Sequence, residues 1–314
     1  MENGIEPPLS LIHRRRVKPL SSSFFLMCAA MVMGGVGLQA ANPPEIKIWP
    51  GAVPGEDGFK KPANYKEPDS KDGTLRIGWV SEPTLTLYPA KGPAARPVTV
   101  VVCPGGGYNI LAWNLEGVEV ATWLNSIGVS AAVLKYRVPR RDPVVPHTGP
   151  LQDVQRALRL VRAKSKEWGL PAEKLGVLGF SAGGHLTVMA ATHFTETTYP
   201  TQDAADALSC RPDFVLPIYP AYLGDEKTAG PLSALVTVTR DTPPVFVAVT
   251  DDDLLRGVNA ASFYIELKKA GVLSELHIYT KGGHGYGLRP SANPVSQWPK
   301  RAEEWLRAMK ILTE

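Results

Sequence analysis

A strand, a tight turn and a helix meeting at Ser181 constrain this chain more than any other feature of it. Lys174-Leu175-Gly176-Val177-Leu178 is a short apolar run suited to a buried strand. Gly179-Phe180-Ser181-Ala182-Gly183 follows at once, and residues 185–191 read as a helix. In that context G-x-S-x-G is a nucleophile elbow, whereas the same pentapeptide in a glycine-rich loop would be chance. Glycines flank the serine because a Cβ at those positions would clash in so tight a turn. The hydroxyl is then held at the top of a sheet with a helix N-terminus behind it.

The segments around the elbow repeat one theme. Val98-Thr99-Val100-Val101-Val102-Cys103 is a continuous β-branched run, as expected of a strand covered on both faces. Residues 115–127 have helical apolar spacing and stop at Gly128. Residues 129–136 form the next strand and 151–168 an amphipathic helix. Residues 214–219 and 245–249 are two more buried strands. A helix at 260–270, an alternating strand at 275–280 and a closing helix at 302–311 follow. Thr84-Leu85-Thr86-Leu87-Tyr88 alternates and suits an edge strand. Strands alternating with helices predict an α/β fold, a mostly parallel central sheet with helices on both faces. Residues 42–78, rich in Pro, Gly, Lys and Asp, read as an extended surface segment. Residues 221–244 are the one long irregular stretch between strands, a small cap or a plain surface excursion.

The first forty residues differ from the rest. Arg14-Arg15-Arg16-Val17-Lys18 is basic, residues 21–38 are uncharged and mostly apolar, and Leu38-Gln39-Ala40 ends in small residues. That order describes a secretory signal peptide with cleavage near Ala40, which places the remaining 41–314 outside the cytoplasm as one catalytic domain. The apolar stretch is short and glycine-rich for a membrane span. Phe25-Leu26-Met27 makes a poor lipobox before Cys28, so no stable membrane anchor is expected. The formal net charge of +4 falls to +2 without this segment, leaving no basic stripe for nucleic acid. Cys103 and Cys210 lie too far apart to form a disulfide framework or a zinc pattern, and no metal or cofactor is implied.

A serine hydroxyl needs a base. His284 stands out by context: it sits in Lys281-Gly282-Gly283-His284-Gly285-Tyr286-Gly287, just after the last strand, where glycines let a loop reach back over the sheet. His277 falls inside a strand, His147 and His193 read as surface or loop residues, and His185 as a helix residue packing beside the site. The acid belongs on the loop after the 245–249 strand, where Asp251-Asp252-Asp253 offers three carboxylates. One is needed to orient the histidine. Asp252 is the first choice, then Asp251, then Asp253. Oxyanion donors are expected at the backbone N–H of Ala182 and in Pro104-Gly105-Gly106-Gly107-Tyr108, at Gly106 and Gly107. That triple glycine lacks the G-K-[ST] of a phosphate loop. Tyr108, Trp113, His185 and Tyr286 are candidates for lining the substrate site, with core packing the competing reading for the aromatics.

With these residues in hand the chain resembles the α/β-hydrolase superfamily. Within it, the chain is similar to bacterial acetyl xylan esterase and feruloyl esterase-like enzymes related to hormone-sensitive lipases. Ile48-Trp49-Pro50-Gly51-Ala52-Val53-Pro54-Gly55, Cys103-Pro104-Gly105-Gly106-Gly107-Tyr108, Gly179-Phe180-Ser181-Ala182-Gly183-Gly184-His185-Leu186 and Gly282-Gly283-His284-Gly285-Tyr286-Gly287 carry the resemblance over roughly residues 45–312. It implies Ser181 as nucleophile, His284 as base, Asp252 as acid, and a cofactor-free serine esterase acting on small esters or acylated glycans. A peptidase or lipase on the same scaffold, or a catalytically silent binding protein, is the alternative. Pro104 stands where hormone-sensitive-lipase relatives have His, and the acid loop lacks the Val-Pro often found in related hydrolases.

Overall fold

The protein is described here as a computed structural model covering residues 43–70 and 72–312. The assigned leader, 1–40, lies outside the described residues.

Eight strands form one sheet. In chain order they are β1 (Glu45–Lys47), β3 (Thr84–Tyr88), β4 (Val98–Cys103), β6 (Ser130–Lys135), β7 (Lys174–Phe180), β8 (Phe214–Ile218), β9 (Val245–Thr250) and β10 (Ser274–Tyr279). A separate two-stranded ladder joins β2 (Arg76–Ile77) to β5 (Leu111–Ala112). The spatial order in the main sheet is β1-β3-β6-β4-β7-β8-β9-β10. Only the β1–β3 and β3–β6 pairs are antiparallel. β3 is therefore not the edge, as its alternation implied: β1, from the segment read as extended surface, pairs outside it, and its first four residues are buried.

The helices are α1 (Glu119–Ser126), α2 (Thr148–Trp168), α3 (Ala182–Thr192), α4 (Arg256–Lys269) and α5 (Trp298–Ala308). They divide between the faces, and β4 shows how. Val101 and Cys103 point into a core shared with Val154, Leu158, Leu186, Met189 and Phe263 of α2, α3 and α4. Val98, Val100 and Val102 point into a second core with Val120, Leu124, Trp298 and Trp305 of α1 and α5. The period of two in an unbroken β-branched run thus serves two hydrophobic layers. Gly169, in the left-handed region at φ 64°, ends α2. A buried ion pair of Arg137 with Asp153, 2.9 Å, also takes the Trp49 Nε1–H bond at 2.9 Å, fastening the N-terminal segment to α2. Residues 221–244 form neither strand nor α-helix. Cys103 and Cys210 are both free and buried.

Candidate active site

The sequence β7–Ser181–α3 turns as sharply as its glycines imply. Ser181 has φ 53° and ψ −117°, a conformation costing on the order of 1–3 kcal/mol for a residue with a Cβ. A Cβ on Gly179 would lie 2.1 Å from the Gly183 carbonyl oxygen, and one on Gly183 2.0 Å from that of Cys103. The serine backbone is pinned on both sides. Its N–H donates to Ile218 O at 3.1 Å, and its carbonyl accepts from the N–H groups of His185 and Ala221 at 2.9 and 3.0 Å.

The loop after β10 returns His284 to this point, with Gly283 and Gly285 on either side at φ 62° and 74°. Ser181 Oγ and His284 Nε2 are 2.8 Å apart, and His284 Nδ1 is 2.5 Å from Asp253 Oδ2. Asp253 therefore corrects the choice of Asp252. Asp252 is exposed, and its carboxylate accepts the N–H groups of Gly282 and Gly283 at 3.1 and 2.8 Å. Those bonds, the one from Gly283 foremost, hold its pKa below the usual carboxylate value. Asp252 shapes the histidine loop while Asp253, with a side chain 2 % exposed, meets the imidazole. The other oxygen of Asp253 accepts from Arg256 Nη1 at 2.5 Å. The Arg256 guanidinium is in turn held by both oxygens of Glu226 at 3.1 Å.

A cavity of about 610 Å³ opens over Ser181 and His284. Gly106 and Gly107 line it at φ 136° and 63°, and no described residue accepts their N–H groups. Glycine is required here: a Cβ on Gly106 would lie 2.2 Å from Ile110 O. Ala182, the first residue of α3, has one of the orphan N–H groups that any helix start presents. Among the four residues named for substrate contact, only Tyr286 reaches the cavity. Tyr108 is fully buried behind the glycines, its hydroxyl on His185 Nδ1 at 2.9 Å. His185 is itself buried, and desolvation pushes its pKa down to about 3. Trp113 lies under Lys135, 5.1 Å from its ammonium, and packs against the core.

Four residues that the sequence reading passed over belong to the site. Tyr222 and Arg256 line the cavity, Tyr222 at φ 57° within the irregular 221–244 stretch. Glu116 also lines it, buried beneath the glycine loop, and Tyr219 lies under His284 with ring centroids 4.9 Å apart. Glu116 left a weak signal: an acid beside Leu115 at the start of a segment with helical apolar spacing, which carries a second acid at Glu119. The others left none. Among the described residues no cluster of three or more His, Cys, Asp or Glu side chains is arranged to hold a metal ion, and no helix is long and apolar enough to cross a membrane.

The chemistry of this arrangement is that of a polarised hydroxyl. A serine hydroxyl faces one imidazole nitrogen, the other nitrogen faces a buried carboxylate, and unsatisfied N–H groups lie beside them. All of these groups follow the C-terminal ends of parallel strands, where open α/β sheets place their ligand sites. Comparison with known proteins points the same way. The BD-FAE family pattern matches residues 85–211. An acetylxylan esterase of Xylanibacter ruminicola is 27% identical over 263 residues, 76% of this chain and 51% of that protein. The endo-1,4-beta-xylanase B of Butyrivibrio fibrisolvens is 29% identical over 65% of this chain and 34% of its own length. The chain thus spans about half of the first of these proteins and a third of the second. The crystal structure of an acetyl ester-xyloside bifunctional hydrolase from Caldicellulosiruptor lactoaceticus superposes with a TM-score of 0.70 at 33% identity, over 87% of this chain and 98% of that one. With its parallel sheet, its elbow at the tip of β7 and a structural relative matched over nearly its whole length, the chain belongs to the α/β-hydrolase superfamily.

Proposed function

We propose that the protein is a serine carboxylesterase that removes small acyl groups, acetyl foremost, from plant-type poly- or oligosaccharides. The observation that carries this reading is the unbroken chain Ser181 Oγ, His284 Nε2, His284 Nδ1, Asp253 Oδ2, each link at hydrogen-bond distance. Ser181 attacks the ester carbonyl as His284 takes its proton. The carbonyl oxygen, now an oxyanion, receives the N–H groups of Gly106, Gly107 and Ala182. His284, oriented by Asp253, then protonates the departing sugar oxygen, and water enters by the same route to release the acid. No metal is asked for in any step.

Acetyl ester hydrolysis is the activity of the Xylanibacter and Caldicellulosiruptor relatives, and the cavity wall is compatible with it. Ile110, Ala112 and Leu115 supply apolar surface near the glycines, while Asp72, Thr74, Arg76 and Arg289 supply polar groups of the kind sugar hydroxyls bond to. The leader assigned to 1–40 would carry the catalytic portion out of the cytoplasm, where such glycans are met.

Release of acetate and of ferulate from a panel of esterified xylo-oligosaccharides, run beside an aryl acetate, tests the assignment. Acetate release should dominate, and Ser181→Ala should lower turnover on the order of a millionfold. Undiminished turnover in Ser181→Ala would overturn the mechanism, and a preference for ferulate or for peptide bonds would overturn the substrate class.

A further inference from the structure

Glu116 is a buried carboxylate that no lysine or arginine pairs with among the described residues; the basic group that acts on it is His284. Placing such a charge out of water is costly unless its lone pairs are filled. A leucine or glutamine would serve a core better, so its retention at the floor of the catalytic cavity calls for a reason. It is carried on a π-helical turn, Asn114–Val118, in which the Val118 N–H reaches back five residues to Trp113 O at 3.1 Å. Such single turns recur where a side chain must be aimed out of helical register.

Both oxygens of Glu116 are engaged. Oε2 accepts the Gly105 N–H at 2.7 Å and Oε1 accepts the Tyr219 hydroxyl at 2.7 Å. The Tyr219 oxygen accepts the Gly287 N–H at 3.2 Å, and Gly287 O accepts Trp298 Nε1–H at 2.8 Å. The bonded path therefore starts one residue before the oxyanion glycines and ends three residues after His284. It also passes close under the nucleophile: a Cβ on Gly105 would sit 2.6 Å from Glu116 Oε2 and 2.9 Å from Ser181 Cβ. Tyr219 is held at φ 35°, and its ring supports those of His284 and Tyr286 at 4.9 and 4.4 Å.

We infer that Glu116 and Tyr219 are positioning residues that hold the oxyanion loop and the histidine loop in register across the nucleophile, and that Glu116 places a fixed negative charge beside the imidazolium formed during turnover. This rests on the serine-esterase reading above. The two loops follow β4 and β10, which stand with three strands between them in the sheet, and this bridge joins them directly by hydrogen bonds. Burial works against the charge and raises the Glu116 pKa, while the bonds from Tyr219 and Gly105 oppose that rise. Two donors aimed at its two oxygens favour the ionised carboxylate against the upward push of burial.

The test is the steady-state kinetics of Glu116→Gln, Tyr219→Phe and the double variant on an aryl acetate, with thermal unfolding of each and Ser181→Ala as reference. Register loss falls on the transition state, so kcat should drop about 10- to 100-fold with KM changed less than about threefold. The double variant should lose less than the product of the two singles, because both remove one path. In Glu116→Gln the acid limb of the pH–rate profile should move to lower pH, as the imidazolium loses an anion; in Tyr219→Phe it should stay. If Glu116→Gln does not fold, Tyr219→Phe decides by the same kinetic criterion. Folded variants with kcat within threefold of the parent, or with the whole loss in KM, would overturn the inference. Full activity of Ser181→Ala would instead remove the reading on which it rests.

Discussion

Two loops deliver the reacting groups, and they are specified in opposite ways. The elbow at Gly179-Phe180-Ser181-Ala182-Gly183 is fixed by contacts within a few ångströms of itself: the missing side chains of Gly179 and Gly183 make room for backbone at 2.1 and 2.0 Å. The acid loop at Asp251-Asp252-Asp253 carries three copies of one residue type, and their fates diverge. Asp251 is exposed, with its N–H on Tyr279 O at 2.8 Å. Asp252 is exposed and caps the histidine loop. Asp253 is buried between His284 and Arg256. A steric requirement leaves its mark in residue type, because only glycine meets it. A requirement for one partner among equals leaves none, because the partner lies in another part of the chain.

The sharpest way to break that comparison is to substitute the acids one at a time. Asp253→Asn keeps the volume but lets the amide favour the wrong imidazole tautomer, and kcat should fall about 10⁴-fold. Asp252→Asn loses charge on two backbone N–H bonds of an exposed loop, and kcat should fall by about tenfold at most. The two rates, measured on one ester under one set of conditions, give the ranking directly. A larger loss in Asp252→Asn would mean that the histidine loop turns to a different acid during turnover.

The elbow predicts a loss of another kind. Gly183→Ala would drive a methyl group to within 2.0 Å of Cys103 O and 2.6 Å of Pro104 O, both backbone atoms at the tip of β4. No side chain there can swing aside. The expected cost is about 3 kcal/mol of stability, read as a lowered urea midpoint, with activity falling alongside it because the β4 tip carries the oxyanion loop. A variant as stable as the parent would show that β4 and α3 separate more easily than their packing implies.

These two outcomes explain what was legible. The sheet, the alternation of strands with helices, Ser181, His284 and the cavity glycines Gly106 and Gly107 all follow from short-range patterns: unbroken β-branched runs, apolar helical spacing, glycines at turns. Asp253 is set apart from its two neighbours by partners outside the run, His284 on one oxygen and Arg256 on the other, with Leu254 beside it at φ 48°, unusual for a leucine. Tyr108 is a candidate for the substrate wall because it adjoins the glycines, yet at φ 58° it turns inward, bonds His185 through its hydroxyl and follows the competing core reading. β3 read as an edge strand because its alternating side chains resemble a half-solvated face. The short β1, drawn from a proline- and lysine-rich segment with no strand signal, covers it.

Behind the elbow helix the same contrast makes a subtler demand. His147 and His185 pack edge to face with ring centroids 5.1 Å apart, and His147 Nδ1 has no hydrogen-bond partner among the described residues. Burial lowers their pKa values to about 4 and about 3, against an ordinary 6.5. Between roughly pH 4 and 6.5 the unfolded chain therefore binds protons that the native protein refuses, so stability rises with pH there and falls on acidification. Each histidine contributes a slope of about 1.4 kcal/mol per pH unit at most. Carboxylates held low, such as Asp252 and Asp203, keep their contribution down to the usual carboxylate value near 3.8 and lose it only below that, so the decline between pH 7 and pH 5 is not theirs. Urea midpoints measured from pH 7 to pH 5 should decline, and His147→Phe, which keeps an aromatic ring against His185, should flatten the decline by about one proton's worth. His185 would supply the remainder, since its burial favours the neutral ring. An unchanged slope in His147→Phe would mean that His147 reaches water before the protein unfolds, and that the packing behind the elbow is looser than the packing within it.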